Sequence, residues 1–129
     1  MTKQVKQWID FAQTDIASAK KLNEDKALTQ SAAFHCQQAV EKLFKAMLEY
    51  KQAPIKKIHN LDVLYKQCSD NVTININETI LKEINEVYID SRYPSDVGLI
   101  PSGKPSTETI KKFITFILDL DQKIKSIIT

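Results

Sequence analysis

Apolar residues recur through most of this chain at the spacing of an α-helix. In residues 3–22 they come every three to four positions, which collects them into one stripe along a helix. The residues of that stripe are Val5, Trp8, Ile9, Ala12, Ile16 and Ala19. The charged positions off the stripe are Lys6, Asp10, Asp15 and Lys21. The pattern predicts a first helix over residues 3–22.

A second helix is predicted from about Thr29 to about Gln52, because the residue preceding Pro54 resists the α conformation. Its apolar face consists of Ala33, Cys36, Val40, Leu43, Phe44 and Met47. Its polar residues fall within an arc of about 80°, directed away from the apolar stripe. They are His35, Gln38, Lys42, Lys45 and Glu49. Two interpretations stay open, namely a solvated helix face and a surface that recognises phosphate or another polar ligand.

Three further helices follow from the same periodicity. A short one begins after His59-Asn60, with Leu61, Leu64 and Tyr65 facing inward. The segment DNVTININETI is read as a loop that ends in a helix cap at Asn75 or Asn77. The fourth helix carries Ile80, Ile84, Val87, Tyr88 and Ser91 on one face. The last begins at an N-cap, Ser106, with Glu108 in its first turn, and its stripe is Ile110, Phe113, Ile114, Ile117, Leu120, Ile124 and Ile128.

No stretch shows the alternation and tight turns of β-hairpins. The predicted fold class is therefore all-α: an up-and-down bundle of about five helices, with the two long N-terminal helices antiparallel. At 129 residues we expect one domain over 1–129. The last helix has additional apolar residues, Phe116, Leu118 and Ile127, and Phe11 lies close to Trp8. Such surplus apolar surface is typical of a deep core or a subunit interface, and we expect a homodimer.

Composition and motifs limit the kinds of ligand and reaction that this chain can be expected to support. The net charge of +2 does not by itself indicate a nucleic-acid binder, although Lys42 to Lys57 holds five Lys and only one acid, Glu49. Cys36 and Cys68 match no metal or redox spacing, and Cys36 falls on an apolar helix face as a small buried hydrophobe. No signal peptide or membrane span is evident, so we expect a cytoplasmic location. No metal-ligand motif, phosphate-binding Gly loop or nucleophile elbow occurs, so we expect neither metal nor cofactor.

Arg92 is the only Arg among eighteen basic residues, and it stands at the entrance to a Pro- and Gly-rich loop over 92–105. It can be structural, completing a helix C-terminus and pairing with an acid such as Asp90 or Glu41. It can equally be functional, because its planar fork grips phosphate in a way that Lys does not. The adjacent Tyr93 can stack on a base or cap the core.

Four segments together resemble the HEPN domains, small helical proteins named for nucleotide binding in higher eukaryotes and prokaryotes. These are WIDFAQTDIASAKKL (8–22), AFHCQQAVEKLFKAML (33–48), HNLDVL (59–64) and YIDSRYP (88–94). The resemblance implies a dimeric helical bundle that often works beside a small nucleotidyltransferase in toxin–antitoxin-like pairs. For the RNA-cleaving branch it also implies an Arg-x(4–6)-His motif, but no His follows Arg92 in this chain.

The leading hypothesis is accordingly a HEPN-like module that binds nucleotide or RNA phosphates and acts with a nucleotidyltransferase. The residues assigned to that binding are Lys42, Lys45, His59, Arg92 and Tyr93. One alternative is a metal-independent ribonuclease with a non-standard site drawn from Arg92, His59 and His35. The other is a purely structural, dimerising partner protein. The missing His favours a role other than catalysis.

Overall fold

The two N-terminal helices lie antiparallel, joined by one short turn. A computed structural model describes residues 1–55, 57–92 and 104–128, and the side chains of residues 88–92 lie outside that description. Helix α1 spans Lys3–Leu22 and α2 spans Thr29–Tyr50, with a 3₁₀ turn at Lys26–Leu28 between them. The hydroxyl of Thr2 caps α1 by accepting a hydrogen bond from the Val5 N–H at 3.2 Å. The sequence prediction of 3–22 for α1 is confirmed, whereas the 3₁₀ turn was not predicted.

Helix α2 ends two residues earlier than predicted, in a left-handed cap. The Ala53 N–H donates to the Leu48 carbonyl at 2.9 Å and the Gln52 N–H donates to the Glu49 carbonyl at 3.0 Å. This pair of bonds is the Schellman motif, which requires its C′ residue in the left-handed region. Gln52 occupies that position with φ of 55°. The cap ends the helix before Pro54 imposes its own restriction.

The remaining helices are α3, Leu61–Asn71, α4, Glu78–Arg92, and α5, Thr107–Ile128. Each begins at a side-chain cap. Asn60 Oδ1 accepts from the N–H groups of Asp62 and Val63, at 2.9 and 3.2 Å. Of the two caps proposed for α4, Asn77 is the one observed, accepting from the Ile80 N–H at 3.2 Å. Ser106 Oγ accepts from the Thr109 N–H at 3.0 Å, as predicted for α5.

Helix α2 forms the centre of the bundle and contacts each of the other four α-helices. The largest fully buried side chains come from α2 to α5, and they are Phe44, Phe113, Leu43, Met47, Leu48, Leu61, Leu64, Leu81, Ile84, Ile110, Ile117 and Leu120. No β-strand occurs within the described ranges. The all-α bundle of five helices, with an antiparallel N-terminal pair, is therefore confirmed.

One expectation about polar residues was wrong: Asp15 was placed off the buried stripe of α1, yet it is buried. Of the two interpretations left open for the polar arc of α2, the solvated face does not hold at Lys45, which is buried as well, whereas the other members of the arc are partly exposed. The reason is that α1 covers this side of α2, and charged groups can be buried when each finds an opposite partner. Packing against α1 also holds these polar side chains of α2 in contact with α1.

Candidate functional site

The polar side chains of α2 form two clusters of the same composition, each with one carboxylate, one Lys and one His. We call the first the His59 cluster, formed by Glu41, Lys45 and His59. We call the second the His35 cluster, formed by Asp15, His35 and Lys42. In both, a buried carboxylate holds the Lys ammonium with one oxygen and the Nδ1 of the imidazole with the other.

In the His59 cluster the carboxylate and the Lys are inside and the imidazole is outside. Glu41 Oε1 lies 2.8 Å from His59 Nδ1, and Glu41 Oε2 lies 3.3 Å from Lys45 Nζ. The side chain of Lys45 is 8% exposed, whereas that of His59 is 61% exposed. The ammonium of Lys45 also lies 5.7 Å from the centre of the Trp8 ring, within the range of a cation–π contact. Because an ionised carboxylate only accepts, Nδ1 carries the proton and Nε2 is left for a ligand.

The backbone that carries His59 is fixed by two buried amides. Gln37 on α2 donates from Nε2 to the His59 carbonyl at 2.8 Å. Asn85 on α4 accepts at Oδ1 from the Leu61 N–H at 3.0 Å. Both amide side chains belong to buried residues, so their hydrogen bonds are shielded from water. The position of His59 is therefore set by α2, α3 and α4 together.

The His35 cluster lies in the seam between α1 and α2. Asp15 Oδ1 lies 2.8 Å from His35 Nδ1, and Asp15 Oδ2 lies 2.5 Å from Lys42 Nζ. The imidazole and the ammonium are both partly exposed, unlike the carboxylate. The antiparallel packing of α1 against α2 brings Asp15 next to His35 and Lys42. Phe11, one turn before Asp15 on α1, also lies against Lys42, whose Nζ is 5.8 Å from the centre of the Phe11 ring. The cluster thus reaches the surface beside α1.

The sequence-predicted site residues are divided among these positions rather than assembled in one place. Lys42 and Lys45 each neutralise a buried carboxylate, in different clusters, and His35 and His59 are likewise separated. Arg92 is the last residue of α4, two turns beyond Asn85, and its side chain lies outside the described part of the chain. Tyr93 and the loop that follows, through residue 103, lie outside the described residues altogether.

Four polar residues were not assigned to a site from sequence: two are the carboxylates of the clusters, and two are the amides that hold the backbone around His59. They are Asp15, Gln37, Glu41 and Asn85, and only Glu41 had been considered, as a partner for Arg92. Two signals were present in the sequence. Asp15 is three residues after Ala12 and four before Ala19, which is the register of the buried stripe. Glu41 precedes Lys45 by four residues, the spacing of a helical ion pair.

The cysteines contribute no nucleophile. Burial raises the pKa of both thiols, Cys36 and Cys68, to about 12. A thiol with such a pKa is almost fully protonated at neutral pH, and the thiolate is the reactive form. Cys68 Sγ instead contacts the Phe44 carbonyl at 3.4 Å. The interpretation of Cys36 as a small buried hydrophobe is confirmed.

The described ranges contain neither a metal-binding cluster nor a helix suited to crossing a membrane. No group of three or more His, Cys, Asp and Glu side chains there is arranged to hold a metal ion. None of the helices within the same ranges combines the length and the apolar character that a membrane crossing demands.

Comparison with known proteins agrees with this architecture. A search of curated protein sequences gives no significant match. Among solved structures, the crystal structure of an archaeal HEPN homologue superposes with a TM-score of 0.68, at 21% identity and with 100% of each chain covered. At that identity the likeness concerns the fold. The family model of the HEPN domain matches residues 5–124, almost the whole chain. The protein therefore belongs to the HEPN domain family.

Proposed function

We propose that this HEPN protein is a binding module for the phosphates of a nucleotide or RNA, with His59 as its central contact. The observation that supports it is the fixed imidazole: Nδ1 is held by a buried carboxylate at 2.8 Å while most of the ring is exposed. Such a ring presents Nε2 in one direction without the entropy that a free side chain would lose on binding. When protonated it offers a charged donor to a phosphate oxygen.

The other assigned residues take different roles in this proposal. Arg92 supplies the planar fork and Tyr93 a surface for the base, as the sequence suggested. Lys42 and Lys45 act mainly through their carboxylates, because a Lys that turned toward a ligand would leave a buried charge without its partner. The direct contacts are thus His59, Arg92 and Tyr93, and the two Lys maintain the charge balance behind them.

Calorimetric titration of ATP into wild type and into His59→Gln tests this site. We expect the variant to bind at least about tenfold more weakly, since a hydrogen bond to a charged group contributes about 1.5–3 kcal/mol. The affinity should also fall as salt rises. The control is Lys112→Ala on α5, which removes an exposed cation paired with Glu83. Failure of the wild type to bind both ATP and a short single-stranded RNA at low salt would refute the proposal.

A ribonuclease is the second candidate function, and the His59–Glu41 couple is the observation that favours it. A histidine whose Nδ1–H is bonded to a carboxylate is suited to take a proton at Nε2. In this scheme His59 takes the proton of a ribose 2′-hydroxyl, whose oxygen attacks phosphorus and displaces the 5′-oxygen of the next nucleotide. That oxygen takes its proton from water, and Arg92 stabilises the charge on the phosphorane.

Incubation with a single-stranded RNA in EDTA decides between binding and cleavage. The ribonuclease requires products that end in a 2′,3′-cyclic phosphate, and their loss in both His59→Gln and Arg92→Ala. Equal cleavage by wild type and variants would identify a contaminating nuclease.

We further propose that the protein is a cytoplasmic homodimer that works with a nucleotidyltransferase partner in a toxin–antitoxin-like pair. The resemblance of the motifs supports this, as does the exposed apolar side chain of Leu118 on α5. Sedimentation velocity over a range of concentrations tests the dimer. The partner is tested by copurification of a tagged chain with the nucleotidyltransferase encoded beside it, if its gene has one. A chain that is monomeric at all concentrations and copurifies with no transferase would contradict this proposal. It would also contradict the purely structural, dimerising role.

A further inference from the structure

We propose that Phe11, Phe34 and the His35 cluster form a stacking surface for the unpaired bases of single-stranded RNA, separate from the His59 cluster. The proposal takes its ligand class from the proposed function but depends on different residues. We call this region the stacking surface. It lies on the outer side of the seam between α1 and α2.

Two exposed phenylalanines are the first observation. Phe11 is 56% exposed and Phe34 is 42% exposed, whereas Phe44, Phe113 and Phe116 are buried. Both exposed rings adjoin the His35 cluster. The Lys42 ammonium lies 5.8 Å from the centre of the Phe11 ring, and Phe34 meets the His35 ring edge to face, at 5.3 Å between centres and 79° between planes. Aromatic rings next to cations are the usual means of holding unpaired bases.

The second observation is the groove beside His35. It has a volume of about 650 Å³, and its polar lining comes from α1 as well as from His35. Those α1 residues are Gln13, Thr14, Ser18 and Lys21. Asp15 fixes the imidazole through Nδ1, so Nε2 is the nitrogen free to meet a ligand. Hydroxyl, amide and imidazole groups of this kind suit the sugar and phosphate that accompany a stacked base.

The charges on this surface indicate that stacking, more than phosphate attraction, supplies the affinity. Its cations are already paired: Lys42 with Asp15 at 2.5 Å and Lys21 with Glu24 at 3.1 Å. Asp10, next to Phe11, is neutralised by Lys6 at 3.0 Å. Few phosphates can therefore be neutralised by this surface, and few counterions are released from the RNA on binding. We expect the logarithm of affinity to fall with the logarithm of salt at a slope of about −0.7, the value for one phosphate on a single strand.

RNA fits this surface better than a protein partner does. The centre of a protein interface is depleted of charged residues. Here an ammonium lies against one ring and an imidazole against the other, so neither ring is surrounded by apolar atoms alone. A second copy of the chain is the competing occupant, and the oligomeric state of the variants tests for it.

Fluorescence anisotropy with a labelled oligoadenylate of about eight nucleotides tests the stacking surface, with a strand of the same length lacking bases as the reference ligand. The variants are Phe11→Leu, His59→Gln and a matched control, Tyr50→Leu. Tyr50 is also an exposed aromatic residue beside a Lys, with Lys51 Nζ 5.9 Å from its ring centre, but it lies at the opposite end of α2 from His35. Sedimentation velocity of each variant gives its oligomeric state.

The expected result is a loss of about five- to tenfold in oligoadenylate affinity for Phe11→Leu, which is the contribution of one stacked base. The base-free strand should bind the wild type at least as weakly as oligoadenylate binds that variant, because it loses the stack on Phe34 as well, and Tyr50→Leu should match the wild type. Unchanged affinity in Phe11→Leu, or an equal loss in Tyr50→Leu, would overturn the proposal. So would a change of oligomeric mass in Phe11→Leu, because the ring would then belong to a contact between copies.

The same experiment separates this surface from the proposed function. If His59→Gln abolishes binding of both ATP and oligoadenylate while Phe11→Leu has no effect, the proposed function stands and the stacking surface is refuted. If His59→Gln leaves ATP binding intact while Phe11→Leu weakens oligoadenylate binding, the His59 site is refuted and the stacking surface stands.

Discussion

Glu41 is the residue whose substitution should destabilise the fold most clearly, because it is the charge partner of the buried Lys45. In Glu41→Gln the neutral amide places an NH₂ or a carbonyl oxygen where Lys45 needs a negative charge. Lys45 is only 8% exposed, so its ammonium cannot regain full hydration without moving. Removing one member of a buried ion pair costs about 3–5 kcal/mol. The Gln oxygen can still accept from His59, so we take the lower value, about 3 kcal/mol.

That loss is large for a chain of this size. A domain of 129 residues shifts its melting temperature by about 3–5 °C per kcal/mol, so the variant should melt about 10 °C lower. Urea unfolding followed by circular dichroism measures the free energy. Fluorescence of Trp8, whose ring lies 5.7 Å from Lys45 Nζ, reports the same site locally. Both probes should give the same midpoint if unfolding is two-state.

The decisive comparison is the double variant Glu41→Gln with Lys45→Met. Met is close to the shape of the Lys stem and carries no charge, so the double variant should recover more than half of the stability lost in Glu41→Gln. The control is Asp10→Asn, which breaks the exposed pair with Lys6 and should cost no more than about 0.5 kcal/mol. If Glu41→Gln costs under about 1 kcal/mol, or the double variant is less stable than it, the buried-charge reasoning is wrong.

Three other changes have outcomes that follow from single features. Gln52→Gly should raise stability by about 1 kcal/mol, because a non-Gly residue at φ of 55° bears a cost that Gly does not; an unchanged urea midpoint would contradict this. Asn85→Ala should cost about 1–3 kcal/mol by leaving the Leu61 N–H without its acceptor, whereas Asn85→Asp, which retains the oxygen, should cost less in the same assay. Since burial raises the pKa of Cys36 and Cys68 to about 12, both thiols should resist iodoacetamide at pH 8 and react after unfolding. Their contribution to stability is complete below the unfolded pKa of 9.0 and should decline as pH rises from there toward 12, an alkaline loss that Cys36→Ala should reduce.

The helices could be predicted from sequence because nothing interrupts their periodicity. Gly is absent before residue 98, and Pro54 is the one Pro before residue 94. Caps such as Ser106 and Asn77 act within three residues along the chain, so they too can be recognised locally. The left-handed cap at Gln52 could not, because Gly or Asn normally occupies that position and Gln gives no signal for it.

The two clusters could be predicted only in part, because they depend on which helices meet. Asp15 stands in the register of the buried stripe, but an isolated carboxylate there is expected to be excluded from the core. Its burial becomes favourable only when α2 returns antiparallel and brings His35 and Lys42 to it. The Glu41–Lys45 spacing is visible on one helix, whereas the contact with His59 depends on where α3 begins.

In the His59 cluster, compensation of the buried charge and binding of the ligand fall to different residues. The sequence analysis had assigned Lys45 and His59 alike to ligand binding. Lys45 compensates the charge of Glu41, and in doing so it is 8% exposed and directed inward. If it were to bind a phosphate as well, the ligand would have to contribute more than the cost of leaving Glu41 unpaired, which is larger than one charged hydrogen bond provides. His59 has no such conflict, because only Nδ1 contacts the carboxylate. Lys45→Met should therefore act chiefly on stability and His59→Gln chiefly on ligand affinity, and a reversal of those two effects would assign the roles the other way.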